Sequence, residues 1–109
     1  MEKFIYIGVT GSFSLMYPVE SWRGAHPVSD NELNLYFTPI TEGGLATDKD
    51  NDIVIITTTD NNKHKEVLEA IANGVSLGDS LVTVIFDDST SEKIHAQISS
   101  VAVTMSSDV

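Results

Sequence analysis

The chain has 109 residues, 41% of them hydrophobic, and no cysteine; sixteen acidic against six basic side chains give a formal charge of −10. That length supports one core without cross-links, and the missing thiols exclude disulfides, thiolate metal sites and a cysteine nucleophile. The negative charge opposes diffuse binding to nucleic acid or to an anionic membrane, both of which require positive potential.

The opening MEKFIYIGV has no apolar signal core with a cleavage site, and no apolar run reaches transmembrane length. The expectation is a single domain over 1–109, intracellular or carried with a virus particle, with no membrane partner. Phe4 to Val9 sets Ile5, Ile7 and Val9 on one face, the period of a half-buried strand. Gly11-Ser12 reads as a turn, after which Phe13, Leu15 and Tyr17 continue the alternation up to Pro18. Between Pro18 and Pro27 the chain looks irregular or edge-like. Leu33, Leu35 and Phe37 predict a further strand, and the polar, glycine-containing segment 41–51 predicts an exposed loop.

Ile53-Val54-Ile55-Ile56 is a β-branched run suited to a strand buried on both faces. Asp60-Asn61-Asn62 supplies acceptors that can cap a helix. Val67, Leu68, Ile71 and Val75 then recur at helical spacing, and Asn73-Gly74 supplies a stop. Leu81 to Phe86 is a nearly continuous apolar strand, and 87–91 is a polar turn that predicts a hairpin with the last strand. In that last strand Ile94, Ala96 and Ile98 have one parity, whereas Val101, Val103 and Met105 have the other. A bulge or bend at Ser99-Ser100 would restore one inner face. Residues 106–109 should fray.

The prediction is a mainly β domain of about five to six strands with one helix, either a small, strongly bent antiparallel barrel or an open antiparallel sheet with the helix on one face. The bend in the last strand favours the barrel, and its edge strands would invite assembly into a homo-oligomer.

Two polar groupings stand out. Asn62, Lys63, His64 and Lys65 form the basic cluster at the helix start, where free N–H groups and two ammoniums can hold a phosphate; the plainer reading is a solvated turn. Trp22-Arg23-Gly24 combines an aromatic face, a guanidinium and a glycine, the ingredients of a base-stacking platform. A tryptophan packed at the barrel edge, or a contact between subunits, explains it equally well. Asp48 to Asp52 spaces three carboxylates like a calcium loop but lacks the turn glycine and the closing glutamate. His26, His64 and His95 show no metal-ligand spacing, and no serine elbow or carboxylate pair suggests catalysis. A non-enzymatic protein without cofactor or metal is expected.

Three stretches, KFIYIGV, LMYPVESWRG and IVIITTTDNNKHKEVLEAIANG, make the chain similar to a family of small ocean-metagenome proteins of cyanophage origin. That family resembles Sm-like proteins, short bent antiparallel barrels that assemble into rings through their edge strands. The resemblance implies a homo-oligomeric ring that binds single-stranded RNA or DNA in nucleic-acid processing, in the cytoplasm of a host cell or with the virion. Trp22, Arg23, Asn62, Lys63, His64 and Lys65 are the residues expected to do so, repeated once per subunit for avidity. In an Sm-like chain the helix comes first, whereas here it follows several strands. The alternative is a phage structural or accessory protein acting through protein–protein contacts.

Overall fold

The computed structural model describes residues 3–10, 13–38, 51–77 and 81–104. The expected Gly11-Ser12 turn, nearly all of the 41–51 loop, Asp48 to Asp50 and the 106–109 tail lie outside the described residues. The elements are β1 (Phe4–Val9), β2 (Phe13–Pro18), a 3-10 turn (Val19–Ser21), β3 (Trp22–Ser29), β4 (Glu32–Phe37), β5 (Asp52–Thr58), α1 (His64–Leu77), β6 (Val82–Asp87), β7 (Glu92–Lys93) and β8 (Ile98–Thr104).

Among the described residues eight strands form two four-stranded sheets, ordered β2-β1-β6-β7 and β3-β4-β5-β8. The mainly β architecture, with one α-helix among the described residues, is as expected. The strand count is higher than five to six, and among the described residues the sheets do not close into a barrel. Nor is the first sheet wholly antiparallel. β1 runs parallel to β6, with Phe4 beside Val82 and Ile5 beside Thr83, because α1 carries the chain across from the second sheet before β6 begins.

One core joins the two sheets and the helix. Ile5, Ile7, Tyr17 and Ile85 enter it from the first sheet, and Leu33, Leu35, Phe37, Val54, Ile56, Ile98 and Val101 from the second. Val67 and Ile71 of α1 are buried against it, with Leu68 and Val75 half-buried beside them, so the helical stripe read in the sequence is the packed one. Between the sheets, Tyr17 of β2 stacks on Phe37 of β4 with ring centroids 4.3 Å apart.

β5 buries alternate residues, Asp52, Val54, Ile56 and Thr58, while Ile53 and Ile55 are half-buried. It is thus a strand with one fully covered face, not two. The parity fault in the last strand is resolved where the sequence placed it. Thr57 faces Ser100 and Thr58 faces Ile98, which leaves Ser99 as the extra residue of a bulge and keeps both Ile98 and Val101 inside. Residues 94–97 separate β7 from β8, so the last strand begins at Ile98 rather than at the expected Ile94. The 87–91 turn joins β6 to the short β7, while the last strand pairs with β5 in the second sheet.

Gly74 does not end the helix. A Cβ there would lie 2.9 Å from Ile94 Cδ1 and 3.2 Å from Thr83 Cγ2, so glycine serves close approach to β6 rather than a left-handed stop. The Thr83 hydroxyl donates to the Gly74 carbonyl at 3.2 Å at this contact. Next along the helix, Lys3 Nζ donates to the Val75 carbonyl at 3.0 Å and brings a cation to the negative end of the helix dipole.

Candidate contact face on the first sheet

The residues expected to bind nucleic acid fall into two separate places. Trp22 and Arg23 begin β3, whereas α1 starts at the turn that ends β3: the Asn62 N–H donates to the Asp30 carbonyl at 2.7 Å, and His64 donates Nε2–H to the Ser29 carbonyl at 2.7 Å. At about 3.3 Å per residue the two ends of β3 stand roughly 20 Å apart. Each group also has local partners. Trp22 is half-buried against the core and donates Nε1–H to the Gly24 carbonyl at 3.0 Å, while Arg23 donates to Asn51 Oδ1 at 3.0 Å. Lys63 pairs with Glu66 at 3.3 Å, and Lys65 is exposed. Asn62 has φ 61°, a left-handed turn conformation that asparagine tolerates and that sets the corner before the helix.

Asp52, the last carboxylate of the calcium-like run, is a core residue. It is fully buried and accepts the Tyr17 hydroxyl at 2.9 Å. Burial, then the hydrogen bond and charge of Asp52, push the Tyr17 phenol far above its ordinary range. Among the described residues no three histidine, aspartate or glutamate side chains gather in a metal-binding group, and no helix is long and apolar enough to cross a membrane.

The strongest surface feature is one the sequence reading did not single out. In β1 the inward residues are Ile5 and Ile7, so Phe4, Tyr6 and Gly8 point outward. Their neighbours follow from the register: Phe4 lies between Pro18 and Val82, Tyr6 between Met16 and Val84, and Gly8 between Ser14 and Asp87. The outer face of the first sheet therefore carries two rows of three residues without a charge. Met16 is 46% and Val82 36% exposed, and Leu81, next to Val82, is 48% exposed. Phe4 and Tyr6 were the available signal, since an antiparallel strand with a wet face alternates apolar with polar residues. Only the register shows that they meet Met16, Val82 and Val84.

The third row is polar. The Tyr6 ring lies over Gly8, where an added Cβ would come within 2.7 Å of the phenol oxygen. Beside it a cleft of about 260 Å³ is lined by Tyr6, Thr10, Ser14, Asp87 and Ser89 among others. Asp87 Oδ1 accepts the Ser89 N–H at 3.1 Å and its hydroxyl at 2.7 Å, while Oδ2 has no hydrogen-bond partner among the described residues. Asp88 closes the end of β1 onto this turn. It accepts the Thr10 hydroxyl at 2.6 Å and the Thr10 N–H at 2.7 Å, and these bonds hold its carboxyl below the ordinary carboxylate range.

The fold and face together define a two-sheet β domain with a helix over the core and an apolar outer surface that runs into an acidic cleft. Comparison of the chain with protein-family models, curated proteins and solved structures gives no match in any of the three.

Proposed function

We propose that this chain is a non-enzymatic interaction module that works through protein–protein contact on the outer face of its first sheet. The observation that carries this reading is the register itself, which aligns Pro18, Phe4 and Val82 in one row and Met16, Tyr6 and Val84 in the next. Exposed apolar residues scattered singly need no explanation, whereas a contiguous uncharged face on three adjacent strands is characteristic of a contact surface. Aromatic residues and methionine are the side chains enriched in such contacts. Covering half-exposed Met16 and Val82 stabilises a contact by about 1 kcal/mol each, by the usual value for apolar burial.

Assembly of an Sm-like ring around single-stranded RNA or DNA has less support. It needs the Trp22–Arg23 pair and the Asn62–Lys65 cluster on one surface, and β3 holds them at its two ends. The edge of β3 is also poorly suited to pairing, because Pro27 and the register shifts near both ends interrupt it.

The test compares wild type with Met16→Asp, an outward substitution that leaves the core intact, in sedimentation velocity and in a displayed-peptide selection. Wild type is expected to capture peptides or to self-associate, and the variant to do neither. Salt-sensitive binding of short single-stranded RNA or DNA, with no Met16-dependent protein contact, would overturn this reading in favour of the nucleic-acid one.

A further inference from the structure

We infer that the partner presents an extended segment with apolar side chains at alternate positions followed by an arginine or lysine, and that this cation enters the Asp87 cleft. The inference rests on the protein-contact reading and names the chemistry of the partner.

The face is graded along its strands. From the Pro18–Phe4–Val82 row to the Met16–Tyr6–Val84 row, and on to the Ser14–Gly8–Asp87 row, each step is two residues along β1, or about 7 Å. An extended segment laid along the strands presents its own i, i+2 and i+4 side chains at the same spacing. Two apolar residues therefore meet the first two rows, and the third side chain reaches the cleft.

The third position fits a cation. Asp87 offers an Oδ2 with no partner among the described residues, and Glu92 stands opposite Asp87 on β7. No arginine or lysine occupies an outward position in the three rows, so nothing within them neutralises that charge. The half-buried Tyr6 ring lies over Gly8, with its hydroxyl donating to Ser14 Oγ at 3.2 Å, and so forms the aromatic floor of the cleft. A guanidinium there can pair with Asp87 and lie against the aromatic face at the same time. The chain's charge of −10 adds long-range attraction for a basic partner. The same carboxylates repel a phosphate backbone, and a second copy of this chain offers no cation in the matching rows.

The test is a random-peptide display selection on the full chain, with counter-selection on Met16→Asp. The enriched peptides are then measured by fluorescence anisotropy against wild type and Asp87→Asn at low and moderate salt. The Asp87→Asn side chain keeps an Oδ1 to accept from Ser89, so the turn is retained, which an amide NMR spectrum verifies. The expected result is peptides with alternate apolar residues ending in Arg or Lys, weakened about tenfold by Asp87→Asn and weakened again by salt. Met16-dependent peptides with no excess of Arg or Lys, or equal binding by Asp87→Asn, would overturn the inference and leave the contact reading standing. A wild-type dimer abolished by Met16→Asp would overturn it in favour of a second copy. Failure to enrich any Met16-dependent peptide, in a chain that stays monomeric, would overturn both.

Discussion

Replacing Tyr17 by Phe removes one oxygen from the centre of the molecule and leaves the ring stack on Phe37 in place. The lost bond is the 2.9 Å donation to Asp52, and both residues are fully buried. A buried hydrogen bond to a carboxylate contributes about 1.5–3 kcal/mol, so the variant should lose about 2 kcal/mol of stability near pH 8. For a domain of this size that corresponds to roughly 10 °C in Tm. The pH dependence separates this bond from a packing effect. The Tyr17 phenol has an ordinary pKa of 10.0 and is raised above it in the folded chain. Its contribution is therefore fully present below pH 10 and is lost as pH rises above 10, because the unfolded state gives up the proton while the folded state keeps it. The slope is about 1.4 kcal/mol per pH unit. By pH 11 the difference between wild type and Tyr17→Phe should shrink to below about 1 kcal/mol, since the variant has no such proton to lose. Urea denaturation of both proteins at pH 8 and pH 11 measures this directly. A difference that stays constant across the two pH values, or one below about 0.5 kcal/mol at pH 8, would refute the assignment of a buried phenol–carboxylate bond.

Three other outcomes follow from the packing. Gly74→Ala gains about 1 kcal/mol in helix propensity but drives a methyl into Ile94 and Thr83, a loss of about 1–3 kcal/mol, so a net destabilisation near 1 kcal/mol is expected in denaturation. Adding Ile94→Val removes the Cδ1 contact, and a double-mutant cycle should show the two changes coupled. Deletion of Ser99 removes the extra residue of the bulge and leaves Ile98 opposite Thr58 and Val101 opposite Ile56 in regular alternation, so both stay inside. A loss below about 2 kcal/mol is expected in denaturation, and an unfolded circular dichroism spectrum would refute the bulge assignment. The Asp88 carboxyl should titrate below 3.8 in a carbon NMR experiment, and Thr10→Val, which removes its shortest hydrogen bond, should move the midpoint upward.

What the sequence made legible was local. Alternation alone located β1, β2 and β4, the spacing of Val67, Leu68, Ile71 and Val75 located the buried side of α1, and a parity fault located the Ser99 bulge. Each of these signals is read within a dozen residues of itself. What was illegible depended on distant partners. The parallel pairing of β1 with β6 has no local signature, because it is set by the path of the chain through the second sheet and the helix. Seven consecutive exposed residues in β3, from Arg23 to Ser29, show no period, so an edge strand looked irregular. Gly74 looked like a stop because only the position of Thr83 and Ile94 shows why a side chain cannot stand there. Asp52 read as part of a polar loop, and its burial depends on Tyr17, 35 positions earlier. The residues expected to bind nucleic acid were grouped by type, which says nothing about which end of β3 each group occupies. The proposed contact face was half visible in Phe4 and Tyr6, whose counterparts come from β2 and from β6.

The β1–β6 pair also governs the order in which the chain can assemble. β1 is made well before its inner partner, since Val82 follows Phe4 by 78 positions. Until then β1 has β2 on one side and an unsatisfied backbone edge on the other. Closing so long a connection carries a large entropy cost before any contact forms, which makes the pairing a slow and late event. A nascent chain stalled before Val82 therefore presents an open strand, flanked by Phe4 and Tyr6, in the period when strand-to-strand aggregation is easiest. Yield in expression should respond more to changes that shield that waiting edge than to changes elsewhere on the finished surface.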